Sequence, residues 1–206
     1  MSAIETFNLT KRYGSLIPGR GRAALEDLTM TVPRGRIFGF LGPNGAGKTT
    51  TLRLLLGLTQ PTSGSARMLG EDVGNPAVRS RVGYMAEKQK FYDYLRAGEF
   101  LNYSAKFYRM DGATRKKRIS RLLDYVGLGE EKSARIRTFS LGMLRRLALA
   151  QAMLNDPELL LLDEPLAGLD PLGRRHFKDL IQQTCREEGK SVLVCSHVLL
   201  EMEKLC

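Results

Sequence analysis

The sequence predicts an α/β protein: a doubly wound parallel sheet with a helical segment inserted between its strands. Two observations carry this expectation. Short apolar runs that stop at turn residues alternate with stretches of helical composition, the pattern of strands buried on both faces and joined by crossover helices. The composition also changes abruptly in the middle. Lys88 to Arg146 holds 15 Lys/Arg and 6 Asp/Glu, a net of +9, against 17 and 16 in the rest of the chain. Seven aromatic residues cluster at the start of that segment, from Phe91 to Tyr108.

Taken in order, Ala3–Leu9 and Leu28–Val32, on either side of a Gly/Arg loop at Ser15–Arg22, read as an antiparallel hairpin. Arg36–Leu41 is an apolar strand ending at a Gly/Pro/Asn turn, and Thr50–Leu58 has helical composition. In the middle, Phe100, Tyr103 and Phe107 recur at helical spacing as an apolar stripe. Ala113–Val126 and Met143–Leu154 are further helices, divided by Gly127, Gly129 and a Ser140–Gly142 turn. Leu159–Asp163 and Ser191–Cys195 are two more buried strands. Between them Asp170-Pro171 opens a helix, with Asp as N-cap and Pro at the first helical position.

The whole composition narrows the class. With 206 residues, 43% hydrophobic and 26% charged, the chain suits one globular domain, or one domain with a subdomain inserted in it, and is neither disordered nor fibrous. No apolar run approaches the roughly 20 residues of a membrane-spanning helix. The N-terminal MSAIETFNLTKRY lacks the apolar core of a secretory signal. Three cysteines, an odd number without metal-ligand spacing, fit a reducing cytoplasm. The net charge of +10 raises nucleic acid or an anionic membrane surface as partner.

Gly42-Pro43-Asn44-Gly45-Ala46-Gly47-Lys48-Thr49 matches GxxxxGK(S/T) and lies between an expected strand and an expected helix. Glycines let the backbone curl with its N–H groups inward around phosphate oxygens at a helix N-terminus. Lys48 would then reach the outer phosphates, and the Thr49 hydroxyl would ligate Mg²⁺. At the end of the Leu159–Asp163 strand, Asp163 is placed to hold the Mg²⁺ shell and Glu164 to polarise a water for attack on the terminal phosphate. No NKxD-type guanine-reading motif accompanies the loop, which argues against a GTPase switch.

With these motifs the chain resembles the ATP-binding cassette family, the motor domain of ABC transporters, and in its Ser-x-Gly-Met form the exporter-like, single-cassette branch. The matching features run from Tyr13 to His197. The resemblance implies a P-loop NTPase (RecA-like) core, an N-terminal antiparallel β subdomain and an inserted helical subdomain. It divides the single domain into a nucleotide-binding core at 1–87 and 156–206 and a helical part at 88–155. It also implies a chain cut short at its C-terminal side, within the helix expected after His197. ATP would be bound by the loop from Gly42 to Thr50, with Tyr13 stacked on adenine. Phe139-Ser140-Leu141-Gly142-Met143 resembles the signature motif, in which Ser140 and the Gly142 backbone contact ATP held by a second subunit. Here Leu141 replaces the usual glycine and Met143 the usual glutamine. Asp170 resembles the D-loop aspartate and His197 the switch histidine. Glu87 occupies the place of the Q-loop glutamine, a third metal-side residue beside Thr49 and Asp163, with Gln89 as the alternative if the loop is shifted.

Three readings of the basic middle segment compete: a solvated face over a helical core, a nucleic-acid surface, and a docking face for a membrane partner. The resemblance favours docking to transmembrane permease subunits, through the Glu87–Tyr94 region, on the cytoplasmic face of the membrane. Arg115, Lys116, Lys117 and Arg118 would then lie near anionic lipid. The alternative is a non-transport cassette ATPase acting on nucleic acid or ribosomes. Such proteins usually carry two cassettes or coiled-coil insertions, which this sequence lacks.

Overall fold

The computed structural model describes residues 2–14 and 21–206; most of the expected Gly/Arg loop, at 15–20, lies outside the described residues. Two four-stranded sheets form the frame. The first is antiparallel, in the order β2 (Arg22–Pro33), β1 (Ser2–Tyr13), β4 (Ser63–Met68), β5 (Glu71–Asp72). The hairpin is thus longer than expected and is joined by two strands too short and polar to stand out in the sequence. The second sheet is parallel, in the order β3 (Ile37–Leu41), β8 (Ser191–Ser196), β7 (Leu159–Asp163), β6 (Val82–Met85).

The parallel strands are continuous apolar runs because both of their faces are covered. Leu160, Leu162, Val192 and Val194 point into one cluster with the helical middle segment and α6 (Pro171–Glu188). Leu159, Leu161, Leu193 and Cys195 point the other way, against the antiparallel sheet and α1 (Lys48–Leu55). Side chains that alternate with period two therefore make each strand a partition between two cores.

The register decides where chemistry can occur. Leu41 pairs with Ser196, Asp163 with Cys195 and Met85 with Leu162. The segments leaving all four strands thus emerge at one edge of the sheet, the carboxyl edge where open α/β sheets bind ligands.

The middle segment folds as α3 (Ala97–Ala105), α4 (Gly112–Tyr125) and α5 (Leu141–Ala152), linked by 3₁₀ turns. The aromatic stripe does not hold as a core stripe. Phe100 is buried, but Tyr103 and Phe107 are 45% and 71% exposed. Helix α3 ends at Ala105 and a 3₁₀ turn carries Lys106–Tyr108, so the seven-residue spacing no longer returns Phe107 to the Phe100 face. The exposed rings instead pack on one another: Tyr103 makes edge contacts with Tyr92 at 5.8 Å and with Phe107 at 5.5 Å between centroids.

The basic run on α4 is also partly consumed within the fold. Arg115 donates to Asn102 Oδ1 at 2.8 Å, and Arg118 to the Met153 carbonyl at 2.7 Å and to Asp156 at 3.0 Å. Lys116 and Lys117 remain exposed. Half of the patch expected to face lipid is structural. Among the described residues no helix is long and apolar enough to cross a membrane.

Candidate functional site

The segment after β3 turns sharply into α1. Gly45 and Gly47 take φ values of 86° and 91°, which an L side chain adopts only at a cost. Gly47 is needed twice over: a methyl there would lie 2.6 Å from the Ala24 carbonyl oxygen of β2. The Ala46 N–H bonds back to the Pro43 carbonyl at 3.2 Å, closing the loop on itself. Lys48, the first residue of α1 and 7% exposed, folds its ammonium across the loop to the carbonyls of Gly42 at 2.6 Å and Pro43 at 3.2 Å.

One cavity of about 610 Å³ opens above this loop. Asn44, Gly45, Gly47, Lys48, Thr49 and Thr50 line it, while Gly42, Pro43 and Ala46 lie behind and shape the loop. Tyr13 borders the cavity from the end of β1, partly exposed, with the Lys11 ammonium 5.0 Å from its ring centroid. Opposite the loop stand Glu87, Asp163, Glu164 and His197.

These side chains are tied together. Thr49 Oγ1 donates to Asp163 Oδ2 at 3.0 Å. Burial pushes the Asp163 carboxyl up, and the charges of Glu87 and Glu164 push the same way, against the Thr49 hydrogen bond and the Lys48 charge. The other oxygen, Asp163 Oδ1, is buried without a hydrogen-bond partner. An unmet acceptor beside a Thr hydroxyl, ringed by carboxylates, fits a hard cation such as Mg²⁺, which takes one or two carboxylates and completes its shell with phosphate oxygens and water. Among the described residues no cluster of three or more His, Cys, Asp and Glu forms a cage that would hold a metal by itself.

Glu164 follows β7 in a left-handed conformation, φ 46°, while its N–H still donates to the Cys195 carbonyl at 2.9 Å. A non-glycine residue there costs about 1–2 kcal/mol, and the effect is to turn its side chain back into the cavity edge. Its carboxylate lies 2.9 Å from His197 Nδ1 and 3.6 Å from Lys48 Nζ. A carboxylate only accepts, so His197 Nδ1 carries the proton of that bond. The result is a buried acceptor of protons at the cavity wall, held from two sides.

The signature residues lie elsewhere. Ser140 caps α5, its Oγ accepting from the Met143 N–H at 3.3 Å, which starts that helix at Leu141 rather than Met143. Asp170 caps α6 through the Gly173 N–H at 3.0 Å. Ser140, Gly142 and Asp170 line a second cavity of about 680 Å³, together with Arg146, His176 and Phe177. Leu141 and Met143 line neither cavity; Leu141 is 45% exposed.

Of the two Q-loop candidates, Glu87 lines the first cavity, whereas Gln89 turns away to donate to Gln151 Oε1 on α5 at 3.0 Å. Sequence reasoning missed four contributors. Arg22, Ala23 and Ala24 reach the cavity because the β1–β2 register sets Tyr13 against Arg22. Arg145 is buried behind the cavity and donates to the carbonyls of Glu87 at 2.7 Å and Ala167 at 3.2 Å. Its only sequence signal is a charge on the Leu/Ala-rich face of α5.

The whole stretch from residue 25 to residue 167, which carries the loop, the signature and both carboxylates, matches the family model described as ABC transporter. The chain belongs to the ABC transporter family. Within it, the chain is similar to the ATP-binding proteins and has the α/β P-loop fold. It is 40% identical over 208 residues to an uncharacterized ABC transporter ATP-binding protein of Synechocystis sp., covering 100% of this chain and 58% of that one. It is 42% identical over 204 residues to the bacitracin transport ATP-binding protein BcrA of Bacillus licheniformis, covering 98% of this chain and 64% of that one. A solved ATP-binding subunit of an ABC transporter superposes with a TM-score of 0.83 at 29% identity, covering 100% of this chain and 83% of that chain. The chain therefore spans roughly three fifths of the length of these curated relatives.

Proposed function

We propose that this ABC ATPase chain is the motor of a membrane exporter, and that two cassettes close head to tail around two ATP molecules. The observation that carries the proposal is the division of the motifs between two cavities. Lys48, Thr49, Asp163, Glu164 and His197 share one, while Ser140, Gly142 and Asp170 share the other. One chain cannot present both sets to one nucleotide, and a second chain turned head to tail would.

In the closed pair, Lys48 and the loop N–H groups hold the phosphates, and Ser140 with the start of α5 meets them from across the interface. Mg²⁺, held by Thr49 and Asp163 with Glu87 nearby, would neutralise charge on the phosphate oxygens. Glu164 takes the proton from the attacking water, and His197 keeps its carboxylate turned to the cavity. Opening after hydrolysis moves the Glu87–Tyr94 stretch, which leads into the helical part at 88–155. There, hollows of about 400 and 660 Å³ are walled by Tyr92, Tyr94 and Tyr103 and by Phe91, Phe107 and Tyr108. Aromatic hollows of this kind suit anchor side chains of a permease subunit. The exposed Lys116 and Lys117 suit an anionic lipid surface on the cytoplasmic side. Outward transport is favoured by a relative of Cupriavidus pinatubonensis, 38% identical over 205 residues, that is named for Nod factor export.

The test is Glu164→Gln in sizing chromatography with and without MgATP. A stable ATP-dependent dimer with turnover lost is expected. A variant that hydrolyses ATP at the wild-type rate refutes the role of Glu164, and a variant that binds ATP yet stays monomeric refutes the closed pair.

A further inference from the structure

Three carboxylates, Glu87, Asp163 and Glu164, wall the first cavity, and among the described residues that line it only Arg22 and Lys48 carry fixed positive charge. Directly behind that wall is a third cation that no step above uses. Arg145 is 9% exposed, an arginine inside the fold rather than on its surface. Its guanidinium donates to the Glu87 carbonyl at 2.7 Å and to the Ala167 carbonyl at 3.2 Å, and its Nε has no partner. Both carbonyls belong to cavity-lining residues. Moreover, Arg145 rides on α5, the helix that Ser140 caps, five residues downstream of that cap.

A buried arginine that touches only neutral carbonyls is costly, unless nearby carboxylates balance its charge. The carboxylates whose charges act on Arg145 are those of Glu87 and Glu164. The planar fork also does what a lysine cannot: it reaches two carbonyls on two different loops at once.

We propose that Arg145 is a positioning residue of the hydrolysis site: it clamps the Glu87 loop and the Glu164–Asp170 loop to the signature helix, and its charge offsets the Glu87 carboxylate. The clamp makes the two loops follow α5 as one body. A shift of the helix bearing Ser140 is thereby passed to the residues that face the nucleotide, without any contact between Arg145 and nucleotide. This rests on the reading of the first cavity as an ATP-hydrolysing site, so wild-type turnover of MgATP is the first measurement; its absence overturns both that reading and the positioning role built on it, whereas the variants below test the positioning role alone.

Given wild-type turnover, the experiment compares Arg145→Gln, Glu87→Gln and the double variant by steady-state kinetics, with thermal melting alongside. Arg145→Gln is expected to lower kcat by about tenfold or more while KM for MgATP moves by less than about threefold. Glu87→Gln, which leaves the backbone carbonyl in place but removes the charge, is expected to restore part of that loss, so that the double variant exceeds Arg145→Gln by about threefold. A simple packing role predicts no such recovery. If kcat is unchanged in Arg145→Gln, or if the double variant is no better than Arg145→Gln, the proposal is overturned. Should Arg145→Gln fail to fold, Arg145→Lys keeps the charge with only one carbonyl in reach. It is expected to turn over more slowly than wild type, and wild-type kcat in that variant refutes the clamp.

Discussion

Gly45 and Gly47 stand two residues apart in one loop with nearly the same φ, 86° and 91°, but in different surroundings. This pair isolates the physics of the phosphate loop. Replacing either by Ala incurs the left-handed penalty of an L residue, about 1–2 kcal/mol. At Gly45 nothing lies within 4 Å of the added methyl, so that penalty is the whole effect. At Gly47 the methyl meets the Ala24 carbonyl at 2.6 Å and Leu25 Cδ1 at 3.2 Å. Ala24 sits at a register shift of β2, between Ala23 and Leu25, which pair with β1, so its carbonyl cannot move away without them and an overpacking cost of about 1–3 kcal/mol is added. The expected totals are about 1–2 kcal/mol for Gly45→Ala and about 2–5 kcal/mol for Gly47→Ala. For a chain of this size each kcal/mol is about 2–4 °C in Tm. Thermal melting without nucleotide, followed by titration with a fluorescent ATP analogue, separates folding from binding. Equal loss of Tm in the two variants would refute the claim that the β2 backbone, and not the loop's own conformation, dictates glycine at position 47.

Two further outcomes are expected. Ser140→Ala removes the α5 cap and costs about 1 kcal/mol; because Ser140 lies off the first cavity, ATP affinity of the monomer is unchanged while the ATP-dependent dimer of Glu164→Gln/Ser140→Ala is lost in sizing chromatography. Asp156→Asn loosens the partly exposed pair with buried Lys190, 2.8 Å away, a bond that holds the Asp156 carboxyl below its ordinary value. A depressed folded-state pKa contributes stability above the unfolded value near 3.9 that is lost as pH falls through the folded one. Urea melts are therefore expected to show the variant less stable by about 1 kcal/mol at pH 7 and equal to wild type in strong acid.

Much of this protein is legible in its residues because the signals are local. The loop from Gly42 to Thr49 needs its glycines and lysine at fixed short spacing, and a strand buried on both faces has to be apolar, as Leu159–Leu162 is. Asp163 closes such a strand, and Glu164 and His197 each come directly after one. Where the reading went astray, the deciding contact was distant or the backbone changed its period. Phe107 left the core when α3 gave way to a 3₁₀ turn, and Tyr103, still on α3, packs on the exposed rings of Tyr92 and Phe107. Arg115 and Arg118 left the exposed basic patch because Asn102, Met153 and Asp156 take up their guanidinium groups.

By itself, then, the sequence determined the phosphate loop, the strand that leads to Asp163 and Glu164, and the cap that opens α6, since each depends on neighbours within a few positions. Only the tertiary structure decided that Glu87 and not Gln89 faces the cavity, that Ser140 and Asp170 stand apart from Lys48, and that Arg145 binds two loops to one helix. Those facts depend on sheet register and on pairings across tens of residues, such as Arg145 with Glu87, and no spacing along the chain encodes them.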